Sequence, residues 1–422
     1  YGKSRAPEHQ QFLNWLIEQS QSQQIDAIIV AGDIFDTGTP PSYAREMYFD
    51  FIAKLHQANC QLVVLAGNHD SVAMLSESQN LLQQLSTRVI SAVSDNMAEQ
   101  VFVLNSLKTE QQAVICAIPF IRPRDIVKSY AGQSASEKQR SLQQAITGHY
   151  QTLFSQAQTL SVENQAEDTR LSIIATGHLT TIGASLSESV RDIYIGTLEA
   201  FPASEFPAAD YIALGHIHRP QKVTKSEHIR YSGSPIALSF DEAKTEKSIV
   251  IAEFKNGELS DVELCPVPCF QALAMVKTQL ETLTDNIMAV VEANHSERKE
   301  NIWLDIEIES AEYLQDLSVR IEQIIAELPV EVLLVRRSKK SRLEMPSHEK
   351  KITLSELSVQ DVFDARMELE SWQSDEQQQR RTRLNSLYLD IAEQTQLASS
   401  AAHSPELNSI IDNSSDTKTE QK

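Results

Sequence analysis

The chain has 422 residues, 41% of them hydrophobic, with 58 acidic and 37 basic side chains and a formal net charge of -21. That length suits two or three domains with ordinary cores, and no run approaches the roughly 18 apolar residues of a membrane span. The charge argues against gripping nucleic acid unless a basic partner, bridging cations or local basic patches compensate, solvated surface being the other reading of the acid excess. Four scattered cysteines, Cys60, Cys116, Cys265 and Cys269, make no disulfide scaffold in a chain of this size, so a reducing, cytoplasmic setting is expected.

No secretory signal opens the chain, and the first predicted element is a helix whose apolar face is Phe12, Leu13, Leu16 and Ile17. The stretch "IDAIIVAGDIFD" reads as a buried strand running into a glycine and the acids Asp33 and Asp36, with buried helix as the rival reading. In "SYAREMYFDFIAKLHQAN", Tyr43, Met47, Tyr48, Phe51, Ile52 and Leu55 recur at helical spacing. The strand plan then repeats in "CQLVVLAGNHD", which ends on Asn68, His69 and Asp70. The 35 residues from Gly32 to Gly67 suit a right-handed crossover, so the two strands should run parallel and end on one edge of a sheet. Ligand sites of open α/β sheets lie at that edge, and glycine there lets the backbone turn sharply.

Another apolar run, "AVICAIPF", leads to Arg122 and Arg124, which suit either DNA phosphates or surface salt bridges. Two further copies of the strand plan follow, "LSIIATGHLT" with His178 and "YIALGHIHRP" with His216 and His218. On an extended segment the two histidines of "GHIH" point the same way and can serve one metal or two adjacent ones. The glycine turn "RYSGSP", which begins at Arg230, either shapes a groove or is a structural hairpin.

Residues 1–250 carry all these motifs and form the expected catalytic domain. Residues 265–345 change pattern, with strands in "NIWLDIEIES" and "VEVLLVRRS" around a helix in "YLQDLSVRIEQIIAEL", and should make a small α/β domain. Cys265 and Cys269 in "CPVPC" are spaced like half a zinc site without a second pair nearby; a loop between domains is the alternative. Residues 352–396 are expected to be helical, with Leu357, Val362, Phe363 and Met367 forming a stripe that docks on a partner or folds back on its own domain. The tail, 398–422, is polar and expected to be disordered.

Asp33, Asn68, His178, His216 and His218 offer one carboxylate, one amide oxygen and three imidazoles, a set suited to Mn²⁺, Fe²⁺ or Zn²⁺ rather than Ca²⁺. Any one alone reads as a turn residue or a satisfied imidazole. Five behind predicted strands point to a site.

The ordered motifs "GDIFD", "GNHD", "GH" and "GHIH" resemble the calcineurin-like metallophosphoesterases. Longer stretches, among them "VRDIYIGTLEAFP", "RYSGSPIALSFDE" and "LPVEVLLVRRS", resemble the SbcD family of nuclease subunits of bacterial SbcCD complexes, from about residue 3 to 370. The resemblance implies an α/β sandwich core, a small α/β capping domain and a helical carboxyl-terminal region that binds a partner. It implies a DNA exonuclease and endonuclease acting on ends and hairpins in repair, recombination and replication. Two divalent ions, usually Mn²⁺, would serve it, and a homodimer would join an SbcC-type coiled-coil ATPase in a heterotetramer on DNA. No P-loop occurs in this chain, so any ATP dependence must come from that partner.

By the same resemblance Asp33 bridges the ions, Asn68, His178 and His216 complete one site, and His218 belongs to the other. His69 would give a proton or hydrogen bond to the leaving group, with Asp36 orienting its imidazole; a turn carboxylate is the plainer reading of Asp36. Family members begin with a strand ending in Asp-x-His, shortly before the segment that "YGKSRAPEHQ" resembles. That strand is not among these residues, so the first ion is expected to keep only Asp33 and His218 and two-metal catalysis to be impaired, a truncated chain being the simplest account and a natural short form the other. A small-molecule or phosphoprotein phosphoesterase and a scaffold that has lost catalysis are the other readings; "GDIFDTG" lacks the Asp-Arg-Gly ending of Ser/Thr phosphatases.

Overall fold

The computed structural model describes residues 2–127, 134–165, 169–191, 193–194, 198, 200–294, 301–309, 317–337, 367, 377–378, 380–384 and 386–388. Helix α1 (Ala6–Ser22) carries a proline in its first turn and buries Phe12 and Leu16. Strands β1 (Ala27–Val30) and β2 (Gln61–Leu65) pair in parallel, Ala27 opposite Gln61, joined by helix α2 (Ser42–Gln57). Of the predicted stripe on α2, Tyr48, Phe51, Ile52 and Leu55 are buried, while Tyr43 stays 52% exposed. Strand β3 (Thr87–Ile90) completes a parallel sheet of three.

A second sheet has six strands in the order β4-β5-β6-β7-β9-β8. These are β4 (Val101–Asn105), β5 (Gln112–Cys116), β6 (Ser172–His178), β7 (Tyr211–Gly215), β8 (Gln221–Lys222) and β9 (Ile229–Tyr231). Between β5 and β6 runs α3 (Ala135–Glu163), opened by a capping box of Ser134 and Glu137. It buries Leu142, Ile146, Tyr150, Leu153 and Ala157 on the outer face of this sheet.

The four motif strands therefore do not share one sheet: β1 and β2 belong to the first, β6 and β7 to the second. The sheets meet face to face through Val63, Leu65 and Ile90 on one side and Ile115, Ile174 and Tyr211 on the other. Helices α1 and α2 cover the first sheet and α3 the second, which gives the sandwich expected of a calcineurin-like core. Covering both faces explains why the strands read as unbroken apolar runs.

A hairpin follows, β10 (Ser248–Lys255) and β11 (Glu258–Pro266), closed by Asn256 and Gly257 at φ 54° and 76°. Two central residues of positive φ are the turn that matches strand twist. Cys265 lies in β11 beside Gln19, Cys269 is exposed, and all four thiols are unbridged.

Next come β12 (Leu273–Thr278), α4 (Leu283–Ala293), β13 (Ile302–Ile308), α5 (Leu317–Ile325) and β14 (Val330–Arg337), a small parallel α/β layer. Ile302, Leu304, Ile306 and Ile308 face its core, while Asp305 is buried on the other face and paired with Arg336. Arg5, just before α1, lies 5.6 Å over the Trp303 ring and ties this layer to the first residues of the chain.

The chain divides into two compact units, Tyr1–Ser338 and Lys339–Lys422. In the second, residues 367, 377–378, 380–384 and 386–388 are helical and Met367 is buried. Leu357, Val362 and Phe363 of the expected stripe, and the tail, lie outside the described residues. No helix among the described residues is long and apolar enough to cross a membrane.

Candidate metal centre

The loops after β1 and β2 are joined by Asp70. Its buried carboxylate accepts the N–H groups of Gly67 at 2.8 Å, Phe35 at 3.0 Å and Ile34 at 3.1 Å, so "GNHD" grips the backbone of "GDIFD". Asp33 and His216 adopt positive φ, 53° and 87°, a region costly for residues with a Cβ. Gly32, at φ 98°, makes the sharp turn expected of it, whereas Gly67 and Gly215 act differently. A Cβ at Gly67 would overlap the Asp33 carboxylate, and one at Gly215 would overlap the Ala31 carbonyl, so these glycines permit close approach between loops from different strands.

That approach brings four of the predicted residues together. His178, the last residue of β6, places Nε2 2.9 Å from Asn68 Oδ1 and 3.2 Å from Asp33 Oδ2. His216 Nδ1 lies 3.1 Å from the same Asn68 oxygen. Among the described residues, Asp33, His178 and His216 form the group able to hold a metal ion, their ligand atoms all within 4.8 Å of one another. Burial favours the neutral form of Asp33, but the His178 ring beside it outweighs this and holds the carboxyl well below the usual range. The same pairing raises His178 against its own burial. Burial, reinforced by His178, lowers His216 to about 3, so its ring is neutral and able to donate a lone pair.

His69 lies beside this cluster. Its N–H donates to Asp33 Oδ1 at 3.1 Å, and its ring Nδ1 sits 2.9 Å from the Asp36 carbonyl oxygen and 3.3 Å from the Asp36 carboxylate. The nearer partner is thus the Asp36 backbone, and the carboxylate is shared with Arg191 at 3.3 Å. His218 stands on a separate network: its Nδ1 is 2.6 Å from Ser189 Oγ and 3.3 Å from the buried Glu242. Nothing local in the sequence marks Glu242 or Lys247, and the acid of "GNHD" carries no signal of its clamping role.

Of the three arginines, Arg122 stacks over Phe120, which itself packs on His178, and donates to the Asp70 carbonyl at 3.1 Å. Its Nη1 is buried with no hydrogen-bond partner among the described residues. Arg124 is largely exposed near Asp125. Arg230 is not brought to this edge: it is buried on β9 with its guanidinium turned to Glu227.

Residues 6–220 match the calcineurin-like phosphoesterase family. The SbcD component of the nuclease SbcCD of Escherichia coli K12 is 50% identical over 381 residues, 90% of this chain and 92% of that protein. The chain belongs to the SbcD family of calcineurin-like phosphoesterases. A second SbcD, from the nuclease SbcCD of Bacillus subtilis 168, is 30% identical over 319 residues, 74% of this chain and 76% of its own length. A third, from Rhodobacter capsulatus, is 31% identical over 265 residues, 61% of this chain and 63% of its own. Residues 269–371 match a family described as the type 5 capsule protein repressor C-terminal domain.

Membership of the SbcD family implies divalent metal binding, and the residues present fit it. His178 Nδ1 lies 2.8 Å from the Ala31 carbonyl, which only accepts, so Nδ1 carries the proton. Nε2 then faces two acceptor oxygens, satisfied by a second ring proton in the metal-free protein and, once the ring is neutral, by a metal ion in that proton's place. His216 Nε2 is buried without a partner among the described residues. Two imidazoles, a carboxylate and an amide oxygen suit a transition metal.

Proposed function

We propose that this SbcD-family chain is a metal-dependent DNA nuclease subunit, hydrolysing phosphodiester bonds at DNA ends and hairpins beside an SbcC-type coiled-coil ATPase in a heterotetramer. The observation that carries the reading is the meeting of Asp33, Asn68, His178 and His216 at the carboxyl ends of strands from two sheets. Asp33 would bridge two divalent ions, of which Mn²⁺ is the proposed pair, with Asn68, His178 and His216 on one and His218 on the other. Bound ions of this kind neutralise phosphoryl oxygens and lower the pKa of a coordinated water.

The chain's own residues supply the rest. With Nδ1–H donated to the Asp36 carbonyl, His69 keeps a fixed ring orientation, and in the doubly protonated ring its Nε2–H gives a proton or hydrogen bond to the leaving alkoxide. Arg122, supported by Phe120 and the Asp70 carbonyl, adds positive charge beside the site for a phosphate of the bound strand. Arg124 adds a second, exposed charge. The net charge of -21 makes local basic groups and the ATPase partner responsible for holding DNA.

Metal content and cleavage, measured on one preparation with a hairpin DNA and a small chromogenic phosphodiester, test the proposal. Bound metal with Mn²⁺-dependent cleavage of the hairpin supports the nuclease reading. Cleavage of the small ester alone would indicate a small-molecule phosphoesterase, and bound metal without cleavage of either would indicate a scaffold.

A further inference from the structure

We propose that Glu242 is the positioning residue for His218, fixing its imidazole with the proton on Nδ1 and the lone pair on Nε2, where a metal ion would take it. This rests on the assignment of His218 as a ligand under the proposed function.

Glu242 is fully buried, yet both of its oxygens are occupied. Oε1 accepts from Ser187 Oγ at 2.7 Å and Ser189 Oγ at 2.5 Å; Oε2 accepts from Lys247 Nζ at 2.7 Å and the Leu238 N–H at 3.1 Å. A carboxylate only accepts, so the single hydroxyl proton of Ser189 goes to Glu242. The Ser189 oxygen, 2.6 Å from His218 Nδ1, is then an acceptor there, and Nδ1 must carry a proton. The other tautomer would set the Ser189 lone pairs against the carboxylate, and the Nδ1 lone pair against Glu242 Oε1 at 3.3 Å. Only the Nδ1-protonated ring satisfies every group.

The main chain of His218 is tied to the same pair. Lys247 Nζ, while holding Glu242, also donates to the His218 carbonyl at 3.0 Å, and the Ser234 N–H donates to that oxygen at 3.0 Å. Ring and backbone are therefore both set by Glu242 and Lys247, from a segment outside the four strand-end motifs. A buried ion pair is a poor source of stability compared with apolar side chains of like volume, so its presence here calls for another use. Holding a ligand in one tautomer is such a use, and loss of an outer partner of this kind lowers metal affinity by about 10–100-fold.

The full chain with Glu242→Leu and Lys247→Met removes both charges together and leaves neither unpaired. Two readouts apply: Mn²⁺ affinity by calorimetry, and the His218 tautomer by ¹⁵N NMR of the metal-free protein. The expected result is a mixed tautomer and Mn²⁺ binding weakened about 10–100-fold, with thermal unfolding near that of the parent. A retained Nδ1-protonated ring with parental Mn²⁺ affinity would overturn the proposal. Should the double variant not fold, Glu242→Asp keeps a charge near Lys247 but withdraws it from Ser189, and the same readouts decide. His218→Ala separates ligation from positioning. If it leaves Mn²⁺ binding unchanged, His218 is no ligand; if it weakens binding while the Glu242 variants do not, the positioning role alone fails.

Discussion

His178 Nε2 lies 2.9 Å from the amide oxygen of Asn68, 110 positions earlier in the chain. With Nδ1 donating to Ala31, Nε2 faces two acceptor oxygens and the pairing with Asp33 favours the protonated ring, so a metal ion entering there takes the place of that proton. Adding Mn²⁺ should therefore raise the melting temperature, by about 2.7 kcal/mol of added stability at a hundredfold excess over Kd, and chelation should reverse it. Ca²⁺ should stabilise less, since imidazole donors disfavour it. Equal stabilisation by Ca²⁺ in a thermal shift series would contradict the imidazole-rich site.

His69 and His216 are expected to separate chemistry from metal binding. His69 contacts Asp36 and the Asp33 carboxylate only through its ring Nδ1 and backbone N–H, whereas His216 stands in the ligand group itself. His69→Ala should cut cleavage by about 10²–10⁴-fold with metal content kept; His216→Ala should lose metal. Equal metal loss in both, read by elemental analysis, would defeat the division of roles.

Gly215 and Gly148 form a matched pair. A Cβ at Gly215 collides with the Ala31 carbonyl, the anchor of His178, whereas Gly148 on α3 has open space around it. Gly215→Ala should cost about 1–3 kcal/mol and weaken Mn²⁺ binding; Gly148→Ala should stabilise by about 0.4–1 kcal/mol. Urea unfolding with a Mn²⁺ titration checks both, and a neutral Gly215→Ala would refute the close-packing account.

The arginines divide by geometry as well. Arg122→Ala should weaken DNA binding across sequences and reduce the salt slope by about 1, because its charge is held by Phe120 and the Asp70 carbonyl beside the candidate metal centre. Arg230→Met should lower stability without changing DNA affinity, since its guanidinium is turned to Glu227. Filter binding over a salt series distinguishes them.

Burial pushes the Cys60 thiol up to about 11 and the Cys116 thiol up to about 12. In the unfolded chain these thiols ionise near about 8.5. The folded state thus keeps protons that the unfolded state releases, and the resulting stability is full below that pH and lost as pH rises toward the folded values. A thiol reagent at pH 8 should modify Cys269, which is exposed, and spare Cys60 and Cys116 until denaturant is added. Fast native labelling of Cys116 would contradict its burial.

The apolar spacing of α2, the parallel pairing of β1 with β2 and the residue types that meet in the candidate metal centre were all legible in the chain. Helical and strand periodicity are local properties, and the types of the donor atoms alone restrict the metal. The Asn256-Gly257 pair, both at positive φ, is an equally local signal of a hairpin turn. Other features depended on distant partners. That β1 and β2 lie in one sheet and β6 and β7 in another follows from which apolar faces close together, and every buried run looks alike before it packs. The clamp of Asp70 and the pairing of Glu242 with Lys247 rest on burying charges beside particular backbone and side-chain groups. In an isolated sequence a carboxylate carries no mark of whether water or a lysine will face it; only the tertiary structure decides, because desolvation and hydrogen bonding are properties of neighbours in space.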